Sequence, residues 1–164
     1  MSLGTFPAKT MDISLFSDVR SIAPAAEKIK RRFGTMGTPQ ALQDSVFEDY
    51  EGLEVAMDAD GLGVCVKHFG TTIKFQCLIA LAPNNEPIAR VICSLDHLPL
   101  SSTFPLLLGS FTFTLNGMTD LPGDERGKPT NLPADADRII AYFLHKAHRT
   151  NATLFASDTA NPTE

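Results

Sequence analysis

The residue types best suited to chemistry crowd into one stretch. GLGVCVKHFGTTIKFQC, from Gly61 to Cys77, carries two of the three cysteines and one of the four histidines. Thiolate and imidazole are ligands that zinc favours, and a thiol beside a base is the beginning of an activated nucleophile. Whether these groups can act together depends on the element that holds them.

From Leu53 the hydropathy pattern has a period of two. Leu53, Val55 and Met57 interleave with Glu54, Ala56 and Asp58, which predicts a strand. Asp60-Gly61 is a strong turn signal, and the return strand places Leu62, Val64 and Val66 on one side. Pairing Ala59 with Leu62 sets Met57 against Val64 and Val55 against Val66. At His68-Phe69-Gly70-Thr71 a four-residue loop is expected, because phenylalanine tolerates positive φ poorly. Lys67 then faces Thr72, Val66 faces Ile73 and Val64 faces Phe75. On this register Cys65 joins Lys67 and Lys74 on the polar side, while Cys77 turns to the core. Successive side chains of a strand point to opposite faces, so the two sulfurs cannot converge on one ion. The expectation is therefore ordinary sheet, with no metal and no cofactor, and with Cys77 and Cys93 as small core hydrophobes.

Four further clusters invite chemical readings. GDERGKPT (Gly123 to Thr130) has three residues between its glycines where a phosphate loop needs four, and Pro129 removes a donor, so it reads as a solvated loop. Asp58-Ala59-Asp60-Gly61 begins like a calcium loop, but Phe69 stands where the closing glutamate belongs. His145 and His148 are spaced to share a helix face, and no third ligand accompanies them; favourable interaction with a helix C-terminus is the simpler reading. Asp96-His97 ends a strand and precedes an apolar connection, a usual setting for functional residues. His97 and Asp96 are the candidates for catalysis, although neighbours on a strand point apart. No G-x-S-x-G, H-E-x-x-H or dinucleotide fingerprint is present.

The elements that must position these groups follow from the same periodicities. APNNEP turns the chain into a fourth strand, Ile88 to Leu95. There, as at CLIALA, alternation fades and both sides carry apolar residues, the sign of a strand covered on both faces. Leu78, Ala80, Ile88 and Ile92 are the candidate binding residues on the second face. DHLPLSSTFPLLLG reads as an irregular connection, and SFTFTLNG as a fifth strand with Phe111, Phe113 and Leu115 inward. MTDL offers a short sixth.

Two helices flank this block. The first is expected from Pro24 to Phe33, because proline fits a first turn and Gly34 supplies a stop. Its apolar face is Ala25, Ile29 and Phe33. KIKRR at its end suits the helix dipole. Thr38-Pro39 opens a possible short second helix. The C-terminal helix is expected from Pro133 to His148, with Asp135 and Asp137 at its start and Ile139, Ile140, Phe143, Leu144 and Ala147 as its core stripe.

The chain has 164 residues and a net charge of −5, with 43% hydrophobic and 20% charged residues. A general nucleic-acid binder needs a cationic surface, so that class is disfavoured. An odd number of cysteines without CxxC argues for a reducing, cytoplasmic setting. No apolar run is long enough to span a bilayer. MSLGTFPAKT (1–10) reads as a leader of vector origin, 11–149 as a single domain and 150–164 as a flexible tail.

The expected fold is α+β, an antiparallel meander of about five strands packed by N-terminal and C-terminal helices. The expected function is that of a non-enzymatic small acidic binding or adaptor protein, a homodimer with an apolar interaction surface. Its partners would be another protein or a second copy, not nucleic acid and not membrane. The alternative is a small enzyme or ligand-binding domain with a pocket near the 95–109 connection.

Overall fold

Each strand in this chain pairs with the one that follows it. β1 (Leu53–Met57), β2 (Gly63–His68), β3 (Thr71–Leu81), β4 (Pro87–Leu95) and β5 (Leu106–Phe113) form one antiparallel sheet in the order β1-β2-β3-β4-β5. The computed structural model describes residues 13–37, 51–96, 105–123 and 125–159. Helix α1 (Ile13–Gly34) precedes the sheet and α2 (Ala136–Thr159) follows it. The fold is α+β, as the grouping of strands between helices predicts.

The register places valine on valine. Val55 pairs with Val66, Met57 with Val64, Val66 with Ile73 and Val64 with Phe75. These side chains share one face with Cys77, Val91, Cys93, Phe111 and Phe113, and both helices pack on that face. α1 contributes Ile29 and Phe33, and α2 contributes Ile139, Ile140, Phe143 and Leu144. Phe143 is the hub. Its ring meets Phe75 edge-on at 5.4 Å and stacks on Phe111 at 6.0 Å. Gly109 makes room for it, since a Cβ there would stand 3.2 Å from Phe143 Cε1.

Several boundaries differ from expectation, each for a physical reason. The β1–β2 turn is wider than a two-residue hairpin. Asp58 N–H donates to Gly63 O, Gly61 N–H donates to Asp58 O, and only Gly61 takes positive φ. The β2–β3 turn is tighter than expected. His68 pairs with Thr71, leaving Phe69 at φ 46° and Gly70 at φ 80°. Positive φ at both central residues matches the right-handed twist of the strands. The Phe69 ring stays 70% exposed, edge-on to His68 and beside Gly52.

α1 runs straight through Pro24 instead of starting there. The proline is exposed, and the carbonyl it leaves without a donor, that of Arg20, belongs to an exposed residue that water can serve. β5 begins at Leu106, inside the stretch expected to be irregular; three consecutive leucines show no period. α2 continues past His148 to Thr159, because no glycine or proline interrupts 149–159. It begins after Asp135, whose carbonyl accepts from Ile139 N–H at 3.0 Å. In place of a sixth strand there are isolated bridges, Phe113 to Thr119 and Met118 to Asn131. The possible helix at Thr38 lies outside the described residues.

The basic run at the end of α1 has a structural use. Arg32 Nε donates to Leu115 O at 2.6 Å and one terminal nitrogen donates to Leu132 O at 3.0 Å. One guanidinium thus ties the helix to the β5 exit and to the approach to α2.

Phe143→Ala should destabilise the fold by about 3–5 kcal/mol, since the cavity lies at the junction of two strands and a helix. Urea unfolding measures it, and a loss under 1 kcal/mol would refute the role assigned to this ring.

Candidate functional site

Because both helices lie on one face, the opposite face is built from the alternate residues of each strand. Cys65, Lys67, Lys74, Gln76, Leu78, Ala80, Ile88, Arg90, Ile92 and Ser94 project there. In register, Ile92 faces Gln76, Arg90 faces Leu78 and Ile88 faces Ala80. Leu78 therefore stands diagonally between Ile88 and Ile92, within reach of both. Leu78 is 45% exposed and Leu107, opposite Ser94, is 64% exposed; Ala80, Ile88 and Ile92 are half-buried. The structure brings the four candidate binding residues together as one apolar island. Lys74 lies at its rim, 3.8 Å from Asp58.

The cysteines separate as the alternation demands. Cys65 pairs with Lys74 on the outer face; Cys77 and Cys93 are buried on the inner one. Burial pushes the Cys77 thiol up to about 12, and the Cys93 thiol higher still. Cys65 is raised as well, first by burial and then by the carboxylate of Asp96. Thiols held protonated in this way are poor nucleophiles.

Of the two catalytic candidates, Asp96 lies among the described residues. Asp96 is exposed, and its N–H donates to Thr72 O at 2.9 Å, which extends the ladder. His97 and the connection through 104 lie outside the described residues. The described residues also form cavities, and two of them border apolar side chains. One, of about 220 Å³, lies between Leu121–Gly123 and α2, against Ile139 and Tyr142. The other, of about 680 Å³, lies between the β3–β4 turn and the 114–118 turn, against Ile88, Leu115 and Met118. Among the described residues no group of three metal-ligating side chains is assembled.

One contact has no signal in the sequence. His68, at the end of β2, and His148, on α2, meet with Nδ1 and Nε2 2.9 Å apart. Asn151 donates to Thr71 Oγ1 at 3.0 Å beside them. His148 was expected to serve a helix terminus, but it sits mid-helix and clasps the β2–β3 hairpin instead. The residues are 80 positions apart, so no local spacing could have revealed the pair. His145 is exposed and takes no part.

The two ring nitrogens face each other at hydrogen-bonding distance, and His68 is half-buried. The His68 imidazole is accordingly held below its ordinary 6.5, first by burial and then by the charge of His148. The sign follows from linkage. Below that ordinary value the unfolded chain takes up a proton that the folded pair resists, so stability is retained above it and lost as pH falls through it.

The chain matches no protein-family model, no curated protein and no solved structure. Its site must therefore be read from its own geometry.

Stability should fall between pH 7 and 5.5, and His68→Gln should flatten that fall. Urea midpoints across the range measure it, and identical slopes for the two proteins would show that the histidine pair carries no linkage.

Proposed function

We propose that the protein is a non-enzymatic interaction module that self-associates through the outer face of its sheet. The observation that carries this reading is the apolar island of Leu78, Ala80, Ile88, Ile92 and Leu107 on the face opposite both helices. Leaving such a cluster in water forgoes the transfer free energy of its side chains, about 25 cal/mol for each Å² that stays wet. Contiguous apolar patches on soluble chains mark contact sites.

A second copy is the occupant that fits best. A two-fold contact sets the same patch against itself, so apolar residues meet apolar residues without a separately matched partner. The first turns of α1 supply a further patch: Leu15 is 53% exposed, Phe16 54% and Val19 62%. Because α1 packs on the inner face of the sheet, this patch stands apart from the outer-face contact. Arg90 stands within the island opposite Leu78, Gln76 stands opposite Ile92, and Lys74 and Asp58 lie at its edge. Arginine is enriched at protein interfaces, where lysine and aspartate are depleted. The raised thiols support the non-enzymatic part of the reading.

Sedimentation equilibrium should give twice the 17.8 kDa mass of one chain. Leu78→Glu combined with Ile92→Glu should yield a monomer with unchanged far-ultraviolet circular dichroism. A wild-type monomer at high concentration, or a double variant that stays dimeric, would overturn the proposal.

A further inference from the structure

The two edges of the sheet are protected unequally. β1 is short and carries Glu54, both of which discourage further strand pairing. β5 is longer, and its sequence LLLGSFTF contains no charge and no proline. Half of its outer edge is closed. Thr112 N–H donates to Asp120 Oδ1 at 2.8 Å, and Asp120 N–H donates to Thr112 O at 3.2 Å. The amide of Thr112 therefore faces away from β4. Ser110 lies two residues earlier in the same unbroken register, so its N–H and C=O face the same way. Among the described residues, no strand pairs with this outer edge between Leu106 and Phe111.

A cation stands over that open stretch. Lys146 of α2 is half-buried; its ammonium lies 4.9 Å from the Tyr142 ring centre and would be 3.5 Å from a Cβ on Gly109. Among the described residues no carboxylate pairs with it. From Arg138 to Thr153, α2 carries Arg138, His145, Lys146, His148 and Arg149 and no acidic residue, in a chain whose net charge is −5. Where Asp120 closes the edge, the 220 Å³ cavity opens against Leu121, Ile139, Tyr142 and Arg138.

We infer that the outer edge of β5 takes an extended acidic segment of a partner protein as a sixth strand, paired through Ser110, with a carboxylate opposite Gly109 reaching Lys146. Strand addition draws affinity from main-chain hydrogen bonds and specificity from alternate side chains. An added strand runs about 4.8 Å from β5. Gly109 has no side chain, so the helix-facing side chain across from it meets Lys146 unobstructed. The next helix-facing residue toward Asp120 comes beside Tyr142 and the apolar cavity. Charge selects this occupant over a second copy of β5. Two-fold pairing of β5 with itself would bring two α2 helices, each carrying Lys146 and Arg149, alongside one another. This inference concerns the edge of the sheet and does not rest on self-association through its face.

The test uses three fluorescein-labelled synthetic peptides of equal length with the full chain. One alternates valine and glutamate, one alternates valine and lysine, and one is the glutamate peptide with a central proline. Anisotropy should show binding of the first peptide alone, weakening as salt is added. Lys146→Glu should weaken it about tenfold. Ser110→Pro removes an N–H that no ladder bond uses, so it should abolish binding while the urea midpoint holds. The Ser110 amide should exchange more slowly with peptide bound. Should Ser110→Pro fail to fold, Lys146→Glu and the exchange of Ser110 still decide. Failure of the glutamate peptide to bind, equal binding of the lysine peptide, or an unchanged affinity in Lys146→Glu would overturn the inference. So would slowing of Ser110 exchange by protein concentration alone, which would assign the edge to a second copy.

Discussion

The structure depends on one constraint: two helices share the same face of a single five-stranded sheet. Each helix has one apolar stripe, and one side of the sheet gathers the even-numbered residues of β2 with the odd-numbered residues of β3 and β4. Phe143 makes the arrangement definite. It needs Gly109 for space and Phe75 and Phe111 for contact, so its position fixes α2 against β3 and β5 together. A one-residue slip of any central strand would turn lysines inward and valines outward, at a cost no other contact could offset. Once the inner face is settled, the outer one has no described helix to cover it.

That asymmetry gives the other features their meaning. Apolar residues on an uncovered sheet face are costly unless something dries them, and β3 and β4 both carry them there. Among the described residues, the same geometry leaves the outer edge of β5 from Leu106 through Ser110 without a partner strand, beneath a lysine that pairs with no described carboxylate. The histidine clasp midway along α2 is a third consequence. A helix extending to Thr159 passes the β2–β3 hairpin, and His148 meets His68 there.

Much of this was legible in the sequence. Strict alternation from Leu53 to Ile79 gave the register, and that register separated Cys65 from Cys77 without any coordinates. The doubly apolar runs around Leu78 and Ile92 pointed to a second buried or binding face. What the sequence concealed depended on contacts between distant residues. Phe69 takes positive φ in a two-residue turn fixed by the pairing of His68 with Thr71, against its local preference. Pro24 is tolerated within α1 because the group it orphans faces water. Leu106–Leu108 has no period, so strand and connection look alike there. The His68–His148 contact joins a hairpin to a helix across most of the chain, and Asp96 could not be tied to His97, which lies outside the described residues.

The central claim is that the outer sheet face is dry only when two chains meet. Hydroxyl-radical footprinting read by mass spectrometry, over a dilution series, tests it at the side chains themselves. Leu78, Ile92 and Leu107 should be oxidised in dilute solution and shielded when the protein is concentrated, while Phe75 and Phe143 stay shielded throughout. Equal oxidation of the three outer residues at every concentration, or shielding of them at the lowest, would contradict the account.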